Sequence, residues 1–235
     1  MDKTVYLYND TIGSCELLDS MGTDLDVVNS ARVSFDTNKL ALDKRDKDLI
    51  RYLWRNRHTS PFEHCTIKFR CVVPLFIARQ HMRHRTWSYN EVSRRYTSTN
   101  LEFYVPDEFR KQHKSNRQAS TEETINPVVK TVQGSNINWS SKASDQLLAH
   151  TRGSVKLYNR MLDSGICREQ ARMVLPQNMY CKYIASANLL NCLKFIGLRD
   201  KEDSQYEIRE LAKAMSGFVK ELYPNTWEAF SQGRK

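Results

Sequence analysis

The chain has 235 residues and a formal net charge of +9 at pH 7, and 40% of its residues are hydrophobic and 27% charged. These proportions exclude wholesale disorder and a disulfide-stapled miniprotein. The longest apolar run, residues 71–78, is interrupted by Pro74, whereas a membrane-spanning helix needs roughly 20 apolar residues. The sequence therefore predicts a globular chain with enough mass for a hydrophobic core and no membrane partner.

Cysteine spacing and the first residues bear on the compartment. The six cysteines form no Cys-x-x-Cys pair and have no histidine at zinc-finger distance, so no metal site is predicted. The start of the sequence has no cationic segment followed by an apolar stretch, which predicts no secretory signal. The cysteines are therefore expected to be thiols in a reducing, cytoplasmic environment.

Hydrophobic periodicity predicts an α+β single domain over residues 1–235, with a central, mostly antiparallel sheet flanked by helices and a helical C-terminal third. Strands are predicted over residues 3–8, 14–19, 66–73 and 103–105. Helices are predicted from Thr23 or Asp24 to about Phe35, over Asp43–Arg57, from Pro74, and over Gln146–Asp163, Cys167–Val174, Ser186–Phe195 and Gln205–Tyr223. The C-terminal helices are expected to be interrupted at Pro176 and Gly197.

Three further expectations concern the middle of the chain. On the helix that starts at Pro74, Gln80 and Arg83 share a face at helical spacing with His84 and Trp87, so they are expected to point together. Residues 86–100 predict a loop or irregular extended segment that carries a site. The polar stretch 107–145 predicts a long mobile loop or insertion, with a domain linker as the alternative.

Arginines are concentrated near one segment. Residues 79–95 hold five arginines, no lysine and one acid, Glu91, which favours bidentate recognition of phosphate or carboxylate. No glycine-rich Rossmann or Walker motif is present, so a nucleotide would be held by side chains and helix ends. Arg94, Arg95 and Arg172 can supply guanidinium forks for a phosphate.

One motif within this segment is specific. Arg83-His84-Arg85 is followed, after seven residues, by Ser93, and the interval contains Ser88, Asn90 and Glu91, with Arg95 closing the pattern. This resembles the signature of the flavin-dependent thymidylate synthases. The similarity extends to residues 29–35, 59–64, 171–176 and 197–199, and so covers nearly the whole chain apart from about 107–145.

The resemblance implies a reaction. It implies reductive methylation of dUMP to dTMP, with methylenetetrahydrofolate as the one-carbon donor and NADPH as the reductant of FAD. It further implies no enzyme nucleophile on dUMP, no nucleic-acid partner, and a homotetramer with shared active sites.

The resemblance also implies site residues, position by position. The positions implied to contact dUMP are Gln80, Arg83, Glu91, Ser93, Arg94, Arg95, Arg172 and Arg199, with Arg199 as the catalytic residue that favours ionisation at the pyrimidine N3. Those implied to contact FAD are Ser60, Arg83, His84, Arg85, Glu91 and Asn188, with Lys194 within reach of a phosphate and His58 close to the flavin. Leu190, Lys194 and Arg94 depart from the family pattern, since some members have Arg, Asn and Gly there.

Two other functions are compatible with the residues alone. The net charge and the aromatic residues among the arginines are also typical of an RNA or single-stranded DNA binding protein without catalysis. A regulator that binds nucleotide without turnover is the second alternative. For Ser93, the roles of ligand and nucleophile are both conceivable; a ligand is favoured because Glu91 among arginines would be a weak base.

Overall fold

The computed structural model describes residues 3–117, 119–133 and 136–233. In chain order its elements are β1 (Thr4–Tyr6), β2 (Ser14–Met21), α1 (Asp24–Arg32), α2 (Lys44–Arg55), β3 (Thr66–Pro74), α3 (Leu75–His81), β4 (Ser88–Glu91), β5 (Phe109–Gln112), β6 (Ser120–Ile125), β7 (Val128–Gln133), β8 (Asn136–Lys142), α4 (Ala143–Asp163), α5 (Arg168–Ala171), β9 (Tyr180–Asn188), α6 (Leu189–Arg199), α7 (Tyr206–Leu222) and α8 (Pro224–Gln232). Short 3-10 turns cover Val33–Phe35, Ser60–Glu63 and Arg172–Val174.

The chain divides into two compact units. One contains the chain up to Val73, the segment Ile77–Glu91 and everything from Lys182 onward, and the other contains Pro74–Phe76 and Val92–Cys181. Among the described residues, no helix is both long enough and apolar enough to cross a membrane.

The first unit is built around a five-stranded sheet in the order β1-β2-β3-β9-β4. The pairs β1–β2, β2–β3 and β4–β9 are antiparallel. Along β3, Ile67, Phe69 and Cys71 are buried and Lys68 is exposed, which is the alternation expected of a strand with one covered face. Phe69 packs against Phe218 of α7, with ring centroids 6.1 Å apart. The α+β class, with a central antiparallel sheet flanked by helices, is confirmed.

Capping residues fix the first two helices where the sequence predicts them. Thr23 and Asp26 form a capping box at the start of α1, and Asp43 and Asp46 form another at the start of α2. Each box satisfies backbone N–H groups that have no partner within the helix. The predicted strands at residues 14–19 and 66–73 are also present, as β2 and β3.

The predicted helix after Pro74 is shorter than its periodicity indicates. It ends at His81, and the backbone N–H groups of Arg83 and His84 donate to the carbonyls of Gln80 (3.3 Å) and His81 (3.0 Å) in a tighter turn. The predicted helical face shared by Gln80 and Arg83 therefore does not form. Part of the predicted loop at residues 86–100 is instead the edge strand β4.

The C-terminal third also differs from the prediction. The helix predicted from Ser186 begins at Leu189, because the residues before it form β9. Gly197 lies inside α6 and does not interrupt it, and α8 was not predicted. Around residues 103–105 the structure has a single bridge, from Phe103 to Met179.

The second unit contains two antiparallel hairpins, β5–β6 and β7–β8, and the long helix α4. The hairpins lie within the polar stretch 107–145, where a mobile loop was predicted. β6 contains Thr121, Thr124 and Ile125, and β7 begins with Val128 and Val129. Four of these five side chains are exposed, and β-branched residues favour strands. Residues 118, 134 and 135 of that stretch lie outside the described residues, and the prediction of one domain with a mobile loop stays a prediction.

Candidate functional site

The turn that carries Arg83-His84-Arg85 is held from the edge of the sheet. The Tyr89 hydroxyl, on β4, donates to the backbone carbonyls of His81 (2.7 Å) and His84 (3.3 Å). Tyr89 is itself opposite Ala185 of β9 in the ladder. With the turn fixed, the side chains of Arg83 and Arg85 are exposed and that of His84 is half-buried.

His81 lies fully buried beneath this turn. Its Nδ1 is hydrogen-bonded to the Tyr183 hydroxyl at 2.9 Å, and its ring packs against Trp87 and Phe195 at centroid distances of 4.7 and 4.6 Å. Burial, with smaller contributions from the charges of His84 and Arg199, lowers the pKa of His81 to about 3. His81 is therefore neutral near pH 7.

His84 and Arg199 meet within the first unit. The Arg199 Nε, at the end of α6, donates to His84 Nε2 at 3.4 Å. Burial and then the positive charge of Arg199 lower the pKa of His84, and burial lowers the pKa of Arg199. Because His84 Nε2 accepts this bond, the imidazole is neutral and carries its proton on Nδ1. One residue predicted to contact dUMP thus touches one predicted to contact FAD.

Gln80 has a partner that the sequence analysis did not identify. Its amide Nε2 donates to the side-chain carbonyl of Gln205, and the Gln205 amide donates to Glu207 at 2.9 Å. Gln205 lies just before α7, 125 residues along the chain from Gln80, so no local spacing marks the contact. Glu91, the last residue of β4, is exposed.

The junction of β9 and α6 carries Asn188. Its Oδ1 accepts a hydrogen bond from the backbone N–H of Asn191 at 3.0 Å and so caps α6, which leaves the amide Nδ2 as a donor. Lys194 is exposed on the same helix, and His58 and Ser60 are exposed around a turn of the first unit. A cavity of about 640 Å³ is lined by Lys194 and by Thr59, the residue between His58 and Ser60.

The remaining predicted residues belong to the second unit, where two guanidinium groups converge on Glu169. The Arg95 Nη2 lies 3.8 Å from the Glu169 carboxylate, and the Arg172 Nε donates to the Glu169 backbone carbonyl at 3.2 Å. The second unit therefore presents a pair of exposed cations.

Arg94 and Ser93 take part in local contacts. The Arg94 guanidinium donates to the carbonyls of Thr99 (2.8 Å) and Asn100 (3.2 Å) and closes a small loop. The Ser93 hydroxyl accepts from the backbone N–H of Arg95 at 3.3 Å. No histidine or carboxylate of the described residues is hydrogen-bonded to that hydroxyl.

The donor set suits a flavin nucleotide and a nucleoside monophosphate. The first unit offers exposed arginines, a half-buried Arg199 and the free amide of Asn188, which can meet phosphate oxygens and ring acceptors. Within the described ranges no three His, Cys, Asp or Glu side chains are grouped as metal ligands. These features define an α+β nucleotide-binding protein whose site is made of side chains and helix ends.

Comparison with a family model shows to which family of nucleotide-binding proteins the chain belongs. Residues 16–225 match the family described as thymidylate synthase complementing protein, and the chain belongs to that family. The resemblance that the motif indicated is thereby confirmed. The comparisons give no support to the nucleic-acid-binding alternative.

Individual relatives agree with the family match. A flavin-dependent thymidylate synthase of Thermus thermophilus is 40% identical over 220 residues, which are 94% of this chain and 76% of the relative. One from Thermosipho africanus is 36% identical over 218 residues, 93% of this chain and 90% of the relative. Among solved structures, the UMP/dUMP methylase PolB of Streptomyces cacaoi, bound with 5-Br dUMP, is similar with a TM-score of 0.78, 35% identity and coverage of 98% and 99% of the two chains.

The buried His81 predicts how stability depends on pH. Its pKa is about 3 in the folded chain against roughly 6.5 in the unfolded chain, so the unfolded chain binds the proton more readily. The stability that comes from keeping His81 neutral is therefore fully present above about pH 6.5, and it is lost as the pH falls towards 3. Between pH 7 and pH 4 we expect the unfolding free energy of the parent to fall by on the order of 3 kcal/mol more than that of His81→Asn, which has no titrating group here.

Urea denaturation at a series of pH values measures this difference. The carboxylates titrate in both proteins, so their contribution cancels in the comparison. If the unfolding free energies of the two proteins fell in parallel with pH, the buried imidazole of His81 would not contribute to the pH dependence of stability.

Proposed function

We propose that this protein is a flavin-dependent thymidylate synthase that converts dUMP to dTMP, with FAD as its flavin, methylenetetrahydrofolate as the one-carbon donor and NADPH as the reductant. The contact between Arg199 and His84 carries the proposal. It joins a residue matched to the pyrimidine with a residue matched to the cofactor, as hydride transfer between the two ligands requires. The family match and the names of the relatives support it.

We assign the binding of dUMP to side chains that offer hydrogen-bond donors to phosphate and pyrimidine, together with Glu91, whose carboxylate is an acceptor. These are Gln80, Arg83, Glu91, Ser93, Arg94, Arg95, Arg172 and Arg199. Arg199 is the catalytic residue, because a guanidinium beside the pyrimidine stabilises negative charge at N3. Its partner His84 is neutral, so the hydrogen bond orients Arg199 without cancelling its charge.

The flavin is held by a second set of residues, which are Ser60, Arg83, His84, Arg85, Glu91, Asn188 and Lys194, with His58 nearby. When bound and reduced by NADPH, the flavin would supply a hydride to the pyrimidine and return to its oxidised form. The protein contributes orientation and charge stabilisation, and no side chain attacks dUMP.

We further propose that the whole chain acts as one domain in a homotetramer with shared active sites, for which light scattering should give about 110 kDa (4 × 27.5). The cytoplasmic location remains a sequence-based prediction.

The direct test uses the purified full chain. We expect it to be yellow, to oxidise NADPH, and to form dTMP over many turnovers when supplied with dUMP and methylenetetrahydrofolate. A folded chain that binds no added FAD would contradict the proposal, and binding of dUMP and FAD without repeated turnover would favour the regulator. UMP is tested in parallel, because a similar structure is that of a UMP/dUMP methylase.

Arg172 provides a test of the division between substrate and cofactor residues. Arg172→Ala should weaken dUMP binding by about one to two decades, the cost of one lost charge-assisted contact, and leave the dissociation constant of FAD unchanged. Arg168→Ala is the matched control, since Arg168 is an exposed arginine on the neighbouring α5. Calorimetric titration with each ligand measures both constants, and an equal loss of FAD binding in Arg172→Ala would refute the division.

Ser93 provides a test of the role of ligand against that of nucleophile. Its hydroxyl accepts a backbone hydrogen bond from Arg95, and among the described residues no side-chain base is hydrogen-bonded to it to take its proton. Ser93→Ala should therefore retain methylation activity with a weaker apparent affinity for dUMP. A covalent nucleotide adduct, seen by intact-protein mass spectrometry of quenched turnover in the parent and absent from Ser93→Ala, would show the opposite.

A further inference from the structure

Two hydrogen bonds between distant parts of the sequence place Gln80 close to Arg199. The Arg199 guanidinium, at the end of α6, donates to His84, and the side-chain amide of Gln80 donates to Gln205. All four residues belong to the first unit. Because Gln80 and His84 lie in one short stretch of sequence, and Arg199 and Gln205 in another, the two bonds join the same two segments. The amide of Gln80 therefore lies near the guanidinium that we assign to the pyrimidine.

Gln80, Gln205 and Glu207 form an amide relay. The Gln80 Nε2 donates to the Gln205 Oε1, and the Gln205 Nε2 donates to the Glu207 carboxylate at 2.9 Å. A carboxylate only accepts hydrogen bonds, whereas a side-chain amide both donates and accepts. Glu207 therefore fixes which way the Gln205 amide faces, and Gln205 in turn fixes which way the Gln80 amide faces.

Gln205 is used for the relay and not for its own helix. It is the N-cap residue of α7, but its side chain makes no capping hydrogen bond. Serine, threonine, aspartate and asparagine are preferred at this position, because their short side chains reach the free backbone N–H groups of the first turn. The longer glutamine forgoes that bond and reaches Gln80.

The acidic end of the relay is held by two elements. Glu207 lies in the first turn of α7, where the helix dipole favours negative charge. Its backbone carbonyl accepts a hydrogen bond from the hydroxyl of Tyr8, in the turn between β1 and β2, at 3.0 Å. The side chains of Gln80, Gln205 and Glu207 are all half-buried, and partial exclusion of water strengthens hydrogen bonds between them.

The relay leaves Gln80 with polar groups for a ligand. A side-chain amide has two N–H groups and one carbonyl oxygen, and one N–H of Gln80 is donated to Gln205. The second N–H and the carbonyl oxygen of Gln80 have no hydrogen-bond partner in the part of the chain that the structure describes. Gln80 therefore offers a donor and an acceptor that cannot exchange places while the relay is intact.

Uracil and cytosine differ at the ring position that such a donor can distinguish. Uracil has an oxygen on C4, which accepts a hydrogen bond, whereas cytosine has an amino group there, which donates one. To accept from an amino group, the Gln80 amide would have to turn over and point its carbonyl at that of Gln205. If Gln205 turned over as well, its carbonyl would face the Glu207 carboxylate. Either arrangement sets two acceptors against each other, which is unfavourable.

We propose that Gln205 and Glu207 are positioning residues that hold the Gln80 amide so that its second N–H donates to the oxygen on C4 of the pyrimidine. The relay thereby makes the site select uracil nucleotides over cytosine nucleotides. This rests on the proposed function, in which Gln80 and Arg199 contact the pyrimidine of dUMP. Arg199 acts at N3, so the two side chains bind neighbouring atoms of one ring.

Two variants test the relay without touching Gln80 itself. Glu207→Gln keeps the size of the side chain but supplies an amide that can donate as well as accept, so the direction of the relay is no longer fixed. Gln205→Leu interrupts the relay in the middle with a side chain of similar size. Glu210→Gln is the matched control, because Glu210 lies on the same helix and is paired with Lys213 at 2.8 Å, outside the relay.

Calorimetric titration of each full-length protein with dUMP, dCMP and FAD measures the selectivity. We expect the ratio of the dissociation constants of dCMP and dUMP to fall at least about ten-fold in Glu207→Gln and Gln205→Leu, and to stay unchanged in Glu210→Gln. Affinity for dUMP should fall only about two-fold in Glu207→Gln, since about half of the molecules would keep the productive orientation. The dissociation constant of FAD should not change.

A double-mutant cycle shows whether the relay acts through Gln80. In a Gln80→Ala background, Glu207→Gln should leave the ratio of the two constants unchanged, because the amide that it orients is absent. The inference is wrong if Glu207→Gln and Gln205→Leu keep the ratio of the parent, if the ratio falls equally in the Gln80→Ala background, or if FAD binding is lost along with selectivity. A folded parent that binds neither dUMP nor FAD would instead overturn the proposed function.

Discussion

The position of the Arg83-His84-Arg85 turn depends on one hydroxyl group, that of Tyr89. Tyr89 reaches from β4 to the carbonyls of His81 and His84, which are the last residue of α3 and a residue of the turn that follows it. Without that donor the two carbonyls would keep only their local backbone bonds, from the N–H groups of His84 and Trp87, and this link between the turn of Arg83 and Arg85 and the sheet would be lost. The ladder between β4 and β9 extends this constraint to the strand that leads into α6.

The contact at the end of α6 has an electrostatic advantage. A carboxylate beside Arg199 would hold the guanidinium firmly but would cancel its charge. His84 is kept neutral by burial and by Arg199 itself, so it orients the guanidinium and leaves the positive charge for a substrate. The neutral, buried His81 beneath it adds no competing cation.

Local signals predicted those parts of the structure that local chemistry determines. The helix starts were predicted at Thr23 or Asp24 and at Asp43, where the structure has capping boxes, and alternation located β3, because caps and alternation both depend on neighbouring residues. The motif around Arg83 identified the family for a similar reason, since it is a continuous stretch of sequence. The helix predicted after Pro74 was too long, because Tyr89, several residues further on, stabilises a turn that competes with the helix beyond His81.

Contacts over long sequence distances were not predictable in this way. The bond between Gln80 and Gln205 spans 125 residues, and that between His84 and Arg199 spans 115. Strand β9 was missed because its buried positions include Ala185 and Ala187, whose small side chains produce little contrast with their polar neighbours. Their burial depends on the sheet that forms around them.

Because β9 leads directly into α6, the number of residues between the end of the strand and Arg199 is fixed. Asn188 is both the last residue of the strand and the cap of the helix, so no loop separates sheet from helix. Arg199 follows eleven residues later, about 16 Å along the axis at the helical rise, and each residue added or removed in between would turn it by roughly 100° around that axis. Side chains on α6 can therefore vary in type, as Leu190 and Lys194 do, whereas the number of residues between Asn188 and Arg199 cannot change without separating Arg199 from His84.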